Sequence, residues 1–278
     1  MTTEHTRIEY LAHSQNKTGH AEPLTTHLAR VADRAAAFAK PYNGETEARL
    51  AGLLHDIGKY GDLFQRRLEG TERGIDHWSA GAWEALSRYH ANGIAAALAI
   101  QGHHVGLQVS SKSHLSELEP QRCARRIQPL RLSGPRDEIV ARMQQDLLPL
   151  PDFENSRSAY SGPESICAGM LDVRLLFSAL VDADYLETAS HFEGLVVEDS
   201  APLKPNTALS ALDEHVMRLR CASGSAESIN NLRQELFESC RTAGDRRPGL
   251  FTLTAPTGAG KTLAMLAFAL SHALRHGL

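Results

Sequence analysis

Histidine and aspartate residues able to bind metal ions recur along the first two thirds of the chain. In chain order they are His27, His55, Asp56, His77, His103, His104 and Asp182. Imidazole nitrogens and carboxylate oxygens are common ligands of divalent first-row ions, and one carboxylate can bridge two ions. If the fold brings these residues together, the pattern predicts a helical bundle that lines a two-metal hydrolytic site.

Taken singly, the histidines have ordinary explanations. His27 lies beside Leu28 on the apolar face of a predicted helix, where a histidine is more often part of the core than a ligand. His55 and Asp56 follow an apolar helix and could simply be a polar pair at its end. The two-metal interpretation depends on the sum of seven residues at five positions along the chain, each position at an end or on the buried face of a separate helix.

Helical spacing predicts which of two neighbouring aspartates, Asp182 or Asp184, is a metal ligand. Asp182 follows Ala179 by three positions and Leu175 by seven, so we expect it on the buried face of its helix. A buried carboxylate is costly unless it is paired or binds a metal, which favours Asp182 as a ligand. Asp184 is expected to point elsewhere, as an exposed or capping carboxylate.

The elements that position these residues are predicted to be helices, because strand patterns are scarce before residue 190. The predicted helices are 24–38, 48–54, 79–89, 94–100 and one centred on 171–180. The region 110–163 is rich in proline and arginine and is predicted to be an insertion of short helices and loops.

Four motifs, LLHDIGK, DHWSAGA, GHH and RLLFSALVDADYLET, carry a family resemblance. With the upstream His27 they resemble the HD phosphohydrolase superfamily, and within it the HD nuclease domain of the large helicase-nuclease of type I CRISPR systems. The resemblance covers roughly residues 20–190. It implies one metal on His27, His55, Asp56 and Asp182, and a second on Asp56, His77, His103 and His104.

The resemblance also implies a reaction. Single-stranded DNA, presented by the RNA-guided Cascade complex, would be hydrolysed with two divalent transition metal ions, for which Mn, Fe, Co or Ni are expected since the ligands are mostly imidazoles. Asp56 would be catalytic by bridging the ions, and Lys59 by contacting a scissile phosphate. A solvated lysine at a helix end is the alternative for Lys59. Two rival functions are a phosphohydrolase acting on nucleotides and a docking module that does not cleave.

A second motif, APTGAGKT at residues 255–262, follows a predicted buried strand at 250–253 and opens a predicted helix. This context is typical of a phosphate-binding loop. Gly258 and Gly260 would allow the backbone amides to converge on the phosphates, Lys261 would reach the β and γ phosphates, and Thr262 would bind Mg²⁺. The motif resembles the first motif of superfamily 2 helicases. It predicts a truncated α/β, RecA-like helicase stub, with ATP and Mg²⁺ expected only in a full-length helicase.

The predicted organisation is therefore mainly α, with an HD nuclease domain at 1–192, a linker and connecting helix at 193–228, and the helicase stub at 229–278. Hydrophobic residues make up 42% and charged residues 22% of the chain, which is typical of a globular protein. The net charge of -4 argues against general binding to polyanions and restricts DNA contact to a local patch. The densest basic cluster comprises Arg122, Arg125 and Arg126, followed by Arg131, Arg136 and Arg142.

The remaining features predict a compartment. The four cysteines form no CxxC pair, which favours neither a zinc ribbon nor a disulfide framework. No apolar run approaches the roughly 18 residues of a membrane span. A cytoplasmic protein without a membrane partner is therefore expected.

Overall fold

The computed structural model describes most of the chain and divides it into two compact units. The units are Met1–Val197 and Glu198–Leu278. The described residues are 9–107, 115–117, 119, 122, 130–153, 166–194 and 203–278. They are mainly helical, as predicted.

The first unit is built from helices joined by short turns. The helices are α1 Leu24–Ala39, α2 Glu45–Leu54, α3 Asp62–Leu68, α4 Ser79–Tyr89, α5 Ile94–Val105, α6 Arg136–Gln145 and α7 Ile166–Glu193. Single 3-10 turns cover Lys40–Tyr42, Ile57–Tyr60 and His90–Gly93. Two small strand pairs accompany them, β1 Leu11–His13 antiparallel to β2 Glu22–Pro23, and β3 Ile75–Asp76 parallel to β4 Arg131–Leu132.

Small residues let the helices of this unit approach closely. A β-carbon at Gly52 of α2 would lie 2.4 Å from the Cα of Ala32 in α1. The alanine-rich α5 is buried from residue 95 to residue 102 and packs against α4 and α7. Helix α1 packs against α2 and α7 through a stripe at helical spacing, which includes Leu24, Leu28 and Val31. The core therefore surrounds the ends of α2 and α5, where four candidate ligands lie.

Two predicted helices are longer in the structure. The helix predicted at 94–100 continues to Val105, so His103 and His104 lie in its last turn and not in a turn after it. The helix predicted around 171–180 runs from Ile166 to Glu193. Within the predicted insertion, the described residues include β4 and α6. Residues 108–114, 123–129 and 154–165 lie outside the described part.

The second unit contains α8 Pro205–Ala222, α9 Glu227–Ala243 and α10 Lys261–His276. Its small core joins Leu209, Leu212, Phe237, Ala267 and Leu270. The strand predicted at 250–253 is not formed, and Leu250 is 97% exposed. A strand needs a neighbour for its backbone hydrogen bonds, and the described residues of this unit contain no other strand.

No helix among the described residues combines the length and the apolar character that crossing a membrane requires.

Candidate metal centre

Five elements of the first unit bring the candidate ligands together. His27 lies in the first turn of α1, His55 and Asp56 directly follow α2, and His77 precedes α4. The last turn of α5 carries His103 and His104, and α7 carries an aspartate. Residues more than 150 positions apart therefore meet in one place because the helices converge on the end of α2.

Asp56 lies at the centre of the cluster, is 3% exposed and has histidines on both sides. Its Oδ2 atom is 3.3 Å from His55 Nε2 and 3.8 Å from His27 Nε2. Its Oδ1 atom is 3.6 Å from both His77 Nε2 and His103 Nε2. Each carboxylate oxygen therefore faces a different group of imidazoles, which is the arrangement that a bridging ligand needs.

The aspartate that α7 brings into this cluster is Asp184, and the prediction that Asp182 lies on the buried face of the helix was wrong. Asp184 Oδ1 lies 3.3 Å from His27 Nε2 and 3.6 Å from His55 Nε2, whereas Asp182 is exposed. The face that α7 buries runs through Val173, Leu180 and Ala183, and of the two residues used for the spacing argument it includes Ala179 but not Leu175. Leu175, one of those residues, is 37% exposed.

Backbone carbonyls orient three of the histidines. His55 Nδ1 lies 2.8 Å from the Gly52 carbonyl oxygen, and His103 Nδ1 lies 2.5 Å from that of Ile100. His77 Nδ1 lies 3.2 Å from the carbonyl oxygen of Ile75. A carbonyl only accepts hydrogen bonds, so each Nδ1 carries a proton and each Nε2 can offer its lone pair to a metal.

The atoms that face one another at the centre are buried and make no hydrogen bond within the described part of the chain. They include His27 Nε2, His55 Nε2, His103 Nε2 and Asp56 Oδ1. Buried polar atoms without partners are costly, and a shared cation would satisfy all of them. Ligand atoms about 2.1 Å from one ion lie roughly 3–3.5 Å apart, close to the separations observed here. The residues present therefore fit divalent metal ions.

Lys59 keeps the central carboxylate ionised. Burial alone would raise the pKa of Asp56, but the nearby Lys59 ammonium and the charged His55 ring hold that pKa well below its usual value. Lys59 Nζ forms an ion pair with Asp56 Oδ2 at 2.7 Å, and Lys59 is 4% exposed. The alternative of a solvated lysine at a helix end is therefore wrong.

The two sides of the centre differ in their protonation. Burial lowers the pKa of His77 well below 6.5, and desolvation of the ring together with the neighbouring His103 lowers the pKa of His104 to about 4, so both are neutral at pH 7. Their Nε2 atoms approach to 2.9 Å. Burial would also lower the pKa of His55, but the Asp56 and Asp184 carboxylates raise it to about 10. His55 must therefore lose a proton before a metal binds to it.

Metal binding is therefore expected to release about one proton per chain at pH 7.5, because a metal on His55 displaces the Nε2 proton. Affinity on that side should keep rising with pH until the His55 pKa near 10 is passed. Titration calorimetry of chelator-stripped protein in two buffers of different ionisation enthalpy measures the released proton. Binding without proton release at pH 7.5 would show that His55 is not a ligand.

Two local features position His77. The Gly58 backbone N–H donates to the His77 carbonyl at 3.1 Å, and a β-carbon at Gly58 would lie 2.4 Å from that oxygen. Glycine is therefore required where the turn after Asp56 meets the His77 loop. Asp76 accepts hydrogen bonds from the backbone of Trp78 and Ser79 and from the Ser79 hydroxyl, which ties the same loop to the start of α4.

The basic cluster is largely neutralised where it is described. Arg122 pairs with Glu119 at 2.9 Å, and Arg125 and Arg126 lie outside the described residues. The arginines that follow are also paired. Arg131 pairs with Glu72, Arg136 with Glu84, and Arg142 with Asp62. A DNA-binding role for the cluster stays a prediction.

The phosphate-loop motif occupies the N-terminus of α10 in the second unit. Gly258 and Gly260 have positive φ angles of 84° and 82°, and Gly260 directly precedes the helix. Lys261 Nζ donates to the carbonyl oxygens of Ala255 and Pro256, at 2.8 and 2.9 Å. A cavity of about 470 Å³, lined in part by Thr262, adjoins the loop. Nucleotide binding at these four residues stays a prediction.

Sequence reasoning missed Asp184 and the buried Glu22. Glu22 is 5% exposed and its Oε2 lies 3.4 Å from His27 Nδ1. The sequence places Glu22 in a short segment before α1, where a glutamate is expected to be exposed. Nothing in the sequence therefore indicated that Glu22 contacts His27.

Comparison with known protein families supports the helical metal centre. Residues 24–134 match the family model described as HD domain. The matched segment contains His27, His55, Asp56, His77, His103 and His104. The match supports the HD phosphohydrolase superfamily for this part of the chain and suggests metal-dependent phosphohydrolase activity. No curated protein matches the chain.

Proposed function

We propose that this chain is a two-metal HD nuclease that hydrolyses phosphodiester bonds of single-stranded DNA. The observation that carries the proposal is the Asp56 carboxylate, which faces one group of histidines through Oδ2 and another through Oδ1. His27, His55 and Asp184 would hold one ion with Asp56. His77, His103 and His104 would hold the second. Ions held there would lower the pKa of attacking water and stabilise negative charge on the phosphate.

The protein's own groups prepare this site. Lys59 acts as a positioning residue, because its ammonium keeps Asp56 ionised and fixes Oδ2. The carbonyls of Gly52, Ile75 and Ile100 hold imidazole rings in one tautomer. A site assembled in this way needs little rearrangement when a substrate arrives.

Two of the proposed ligands are accessible to solvent. Asp184 is 27% exposed and His104 is exposed, whereas His27 and His55 are fully buried. A phosphodiester could therefore reach the proposed ions beside Asp184 or His104. Cleavage of a strand presented by Cascade in type I CRISPR interference, with a helicase unit feeding that strand, rests on the motif resemblance.

We expect chelator-stripped protein to cleave labelled single-stranded DNA after addition of Mn²⁺, Co²⁺ or Ni²⁺, without ATP. Mg²⁺ should restore little activity, because it prefers oxygen ligands and keeps its waters. The same sequence as a blunt duplex should be cleaved far less, because a nuclease centre that acts on single strands does not itself separate the two strands. Gel analysis of the products, with an excess-chelator lane as the control, measures all three effects.

Parallel reactions with deoxynucleoside triphosphates separate this proposal from its main rival. Hydrolysis of the triphosphates with intact DNA would identify a nucleotide phosphohydrolase instead. Equal cleavage of duplex and single strand would overturn the substrate preference. DNA binding without cleavage under every metal would favour a docking module.

A further inference from the structure

We propose that Glu22 is a positioning residue that fixes the tautomer of His27 and strengthens its bond to a metal. The inference rests on the proposed metal centre and concerns a residue outside the ligand set. Glu22 belongs to β2, directly before α1, and its side chain points at His27 on the face away from Asp56.

His27 differs from the other buried histidines of the centre. His55, His77 and His103 direct Nδ1 at a backbone carbonyl within three positions along the chain. His27 sits in the first turn of α1, and its Nδ1 makes no such bond. It faces Glu22 Oε2 at an ion-pair distance of 3.4 Å. A carboxylate therefore takes the place that a carbonyl takes at the other three rings.

The surroundings of Glu22 leave it few other roles. Glu22 is 5% exposed, and its Oε2 makes no hydrogen bond to another described residue. Among the described residues, the ion pair of its other oxygen is with the guanidinium of Arg30, at 3.9 Å, and Arg30 is largely exposed. A buried carboxylate with so weak a cationic partner is costly unless it serves another group, and the His27 Nδ1–H is the donor in reach.

The strand pair β1–β2 holds Glu22 in place. His13 is its register partner across the pair, and the Leu24 backbone N–H donates to the Tyr10 carbonyl at 2.8 Å. His13 Nε2 lies 3.7 Å from Glu22 Oε2, and its ring packs edge-on against that of His27. The β1–β2 pair therefore places Glu22 and His13 against the His27 ring.

A third ion between His13, Glu22 and His27 is the competing interpretation, since these three also lie within metal-binding distance of one another. It would require His27 to use Nδ1 and Nε2 as ligands at once. An imidazole can do so only after losing both ring protons. A carboxylate that accepts the Nδ1 proton needs no such loss and makes the ring a stronger donor at Nε2.

Binding of Zn²⁺ to the chelator-stripped 278-residue chain tests this role. We expect two ions per chain in wild type, and affinity on one of the two sites lowered about 10–100-fold in Glu22→Ala, the usual effect of removing such a partner. Glu22→Gln keeps an acceptor but loses the charge, so it should bind more weakly than wild type and more tightly than Glu22→Ala. Glu187→Gln is the matched control, because Glu187 is equally buried but pairs with Arg34.

Proton NMR of the Zn²⁺-loaded proteins gives a readout that a purely structural role would not change. The His27 Nδ1–H signal should lie far downfield in wild type, because its acceptor is charged, and should move upfield in Glu22→Gln. Unchanged affinity in both Glu22 variants would overturn the inference while leaving the proposed function intact. Three ions in wild type, with one lost in Glu22→Ala, would make Glu22 a ligand instead. Wild type that binds no ion would contradict the proposed function itself.

Discussion

The Asp56→Asn variant is expected to lose DNA cleavage by at least about a thousandfold, because the substitution removes the carboxylate that faces both groups of histidines. Groups that act as a unit lose nearly all activity when one member is removed. Asparagine keeps the size of the side chain and an acceptor for Lys59, so the fold should persist. Single-turnover cleavage of labelled single-stranded DNA measures the loss, and circular dichroism checks the fold.

Asp56→Ala serves as the harsher companion. It leaves the buried Lys59 without its partner, which costs about 3–5 kcal/mol of stability when a buried pair is broken. We therefore expect Asp56→Ala to unfold at lower temperature than Asp56→Asn, with both variants inactive. Near-normal cleavage by a folded Asp56→Asn protein would sink the bridging role.

Asp184→Asn and Asp182→Asn form the second test, and they should differ by about a hundredfold or more in cleavage. Asp184 Oδ1 approaches His27 and His55, so its loss weakens one metal position more than the loss of an indirect partner would. Asp182 is exposed two residues earlier on the same helix, and Asp182→Asn should retain wild-type activity. The two variants differ from wild type by the same atoms, which makes each the control for the other.

The comparison requires cleavage rates at saturating metal and at limiting metal. We expect the defect of Asp184→Asn to shrink as the metal concentration rises, because its origin is weaker binding. The reverse pattern, an inactive Asp182→Asn beside an active Asp184→Asn, would restore the assignment made from helical spacing.

Helices with one clear apolar face were predictable from the sequence. The helix 79–89 was predicted with the bounds that α4 has, and the start of α1 was predicted from Pro23 and the spacing of Leu24 and Leu28. In both cases polar residues separate the apolar ones, so the spacing selects a single face. The histidines at the ends of such helices could therefore be identified as candidate metal ligands from the sequence alone.

Helix α7 shows why one ligand was missed. Between residues 170 and 181 it is apolar on nearly every side, so two different stripes satisfy helical spacing equally well. The stripe through Leu175 predicted Asp182. The structure buries the stripe through Val173 and Leu180, which continues to Asp184. Only packing against α1 and α5 distinguishes the two stripes, and a sequence carries no record of that packing.

The strand expected at 250–253 failed for a related reason. Its apolar residues match a buried strand, but a strand is stable only beside a partner, and sequence spacing does not reveal whether one is present. Glu22 was missed because its role depends on a contact with His27 that the β1–β2 pair creates. The sequence therefore predicted most of the helices, but not the contacts between helices and strands that position Asp184 and Glu22.

Metal content is the most direct test of the central claim, that this cluster holds a pair of divalent ions. Chelator-stripped protein is loaded with Ni²⁺, which imidazole ligands bind tightly, then desalted and analysed by mass spectrometry for nickel per chain. The structure predicts two ions in wild type and fewer than one in Asp56→Asn, because both positions share that carboxylate. Wild type without nickel, or two ions that persist in Asp56→Asn, would contradict it.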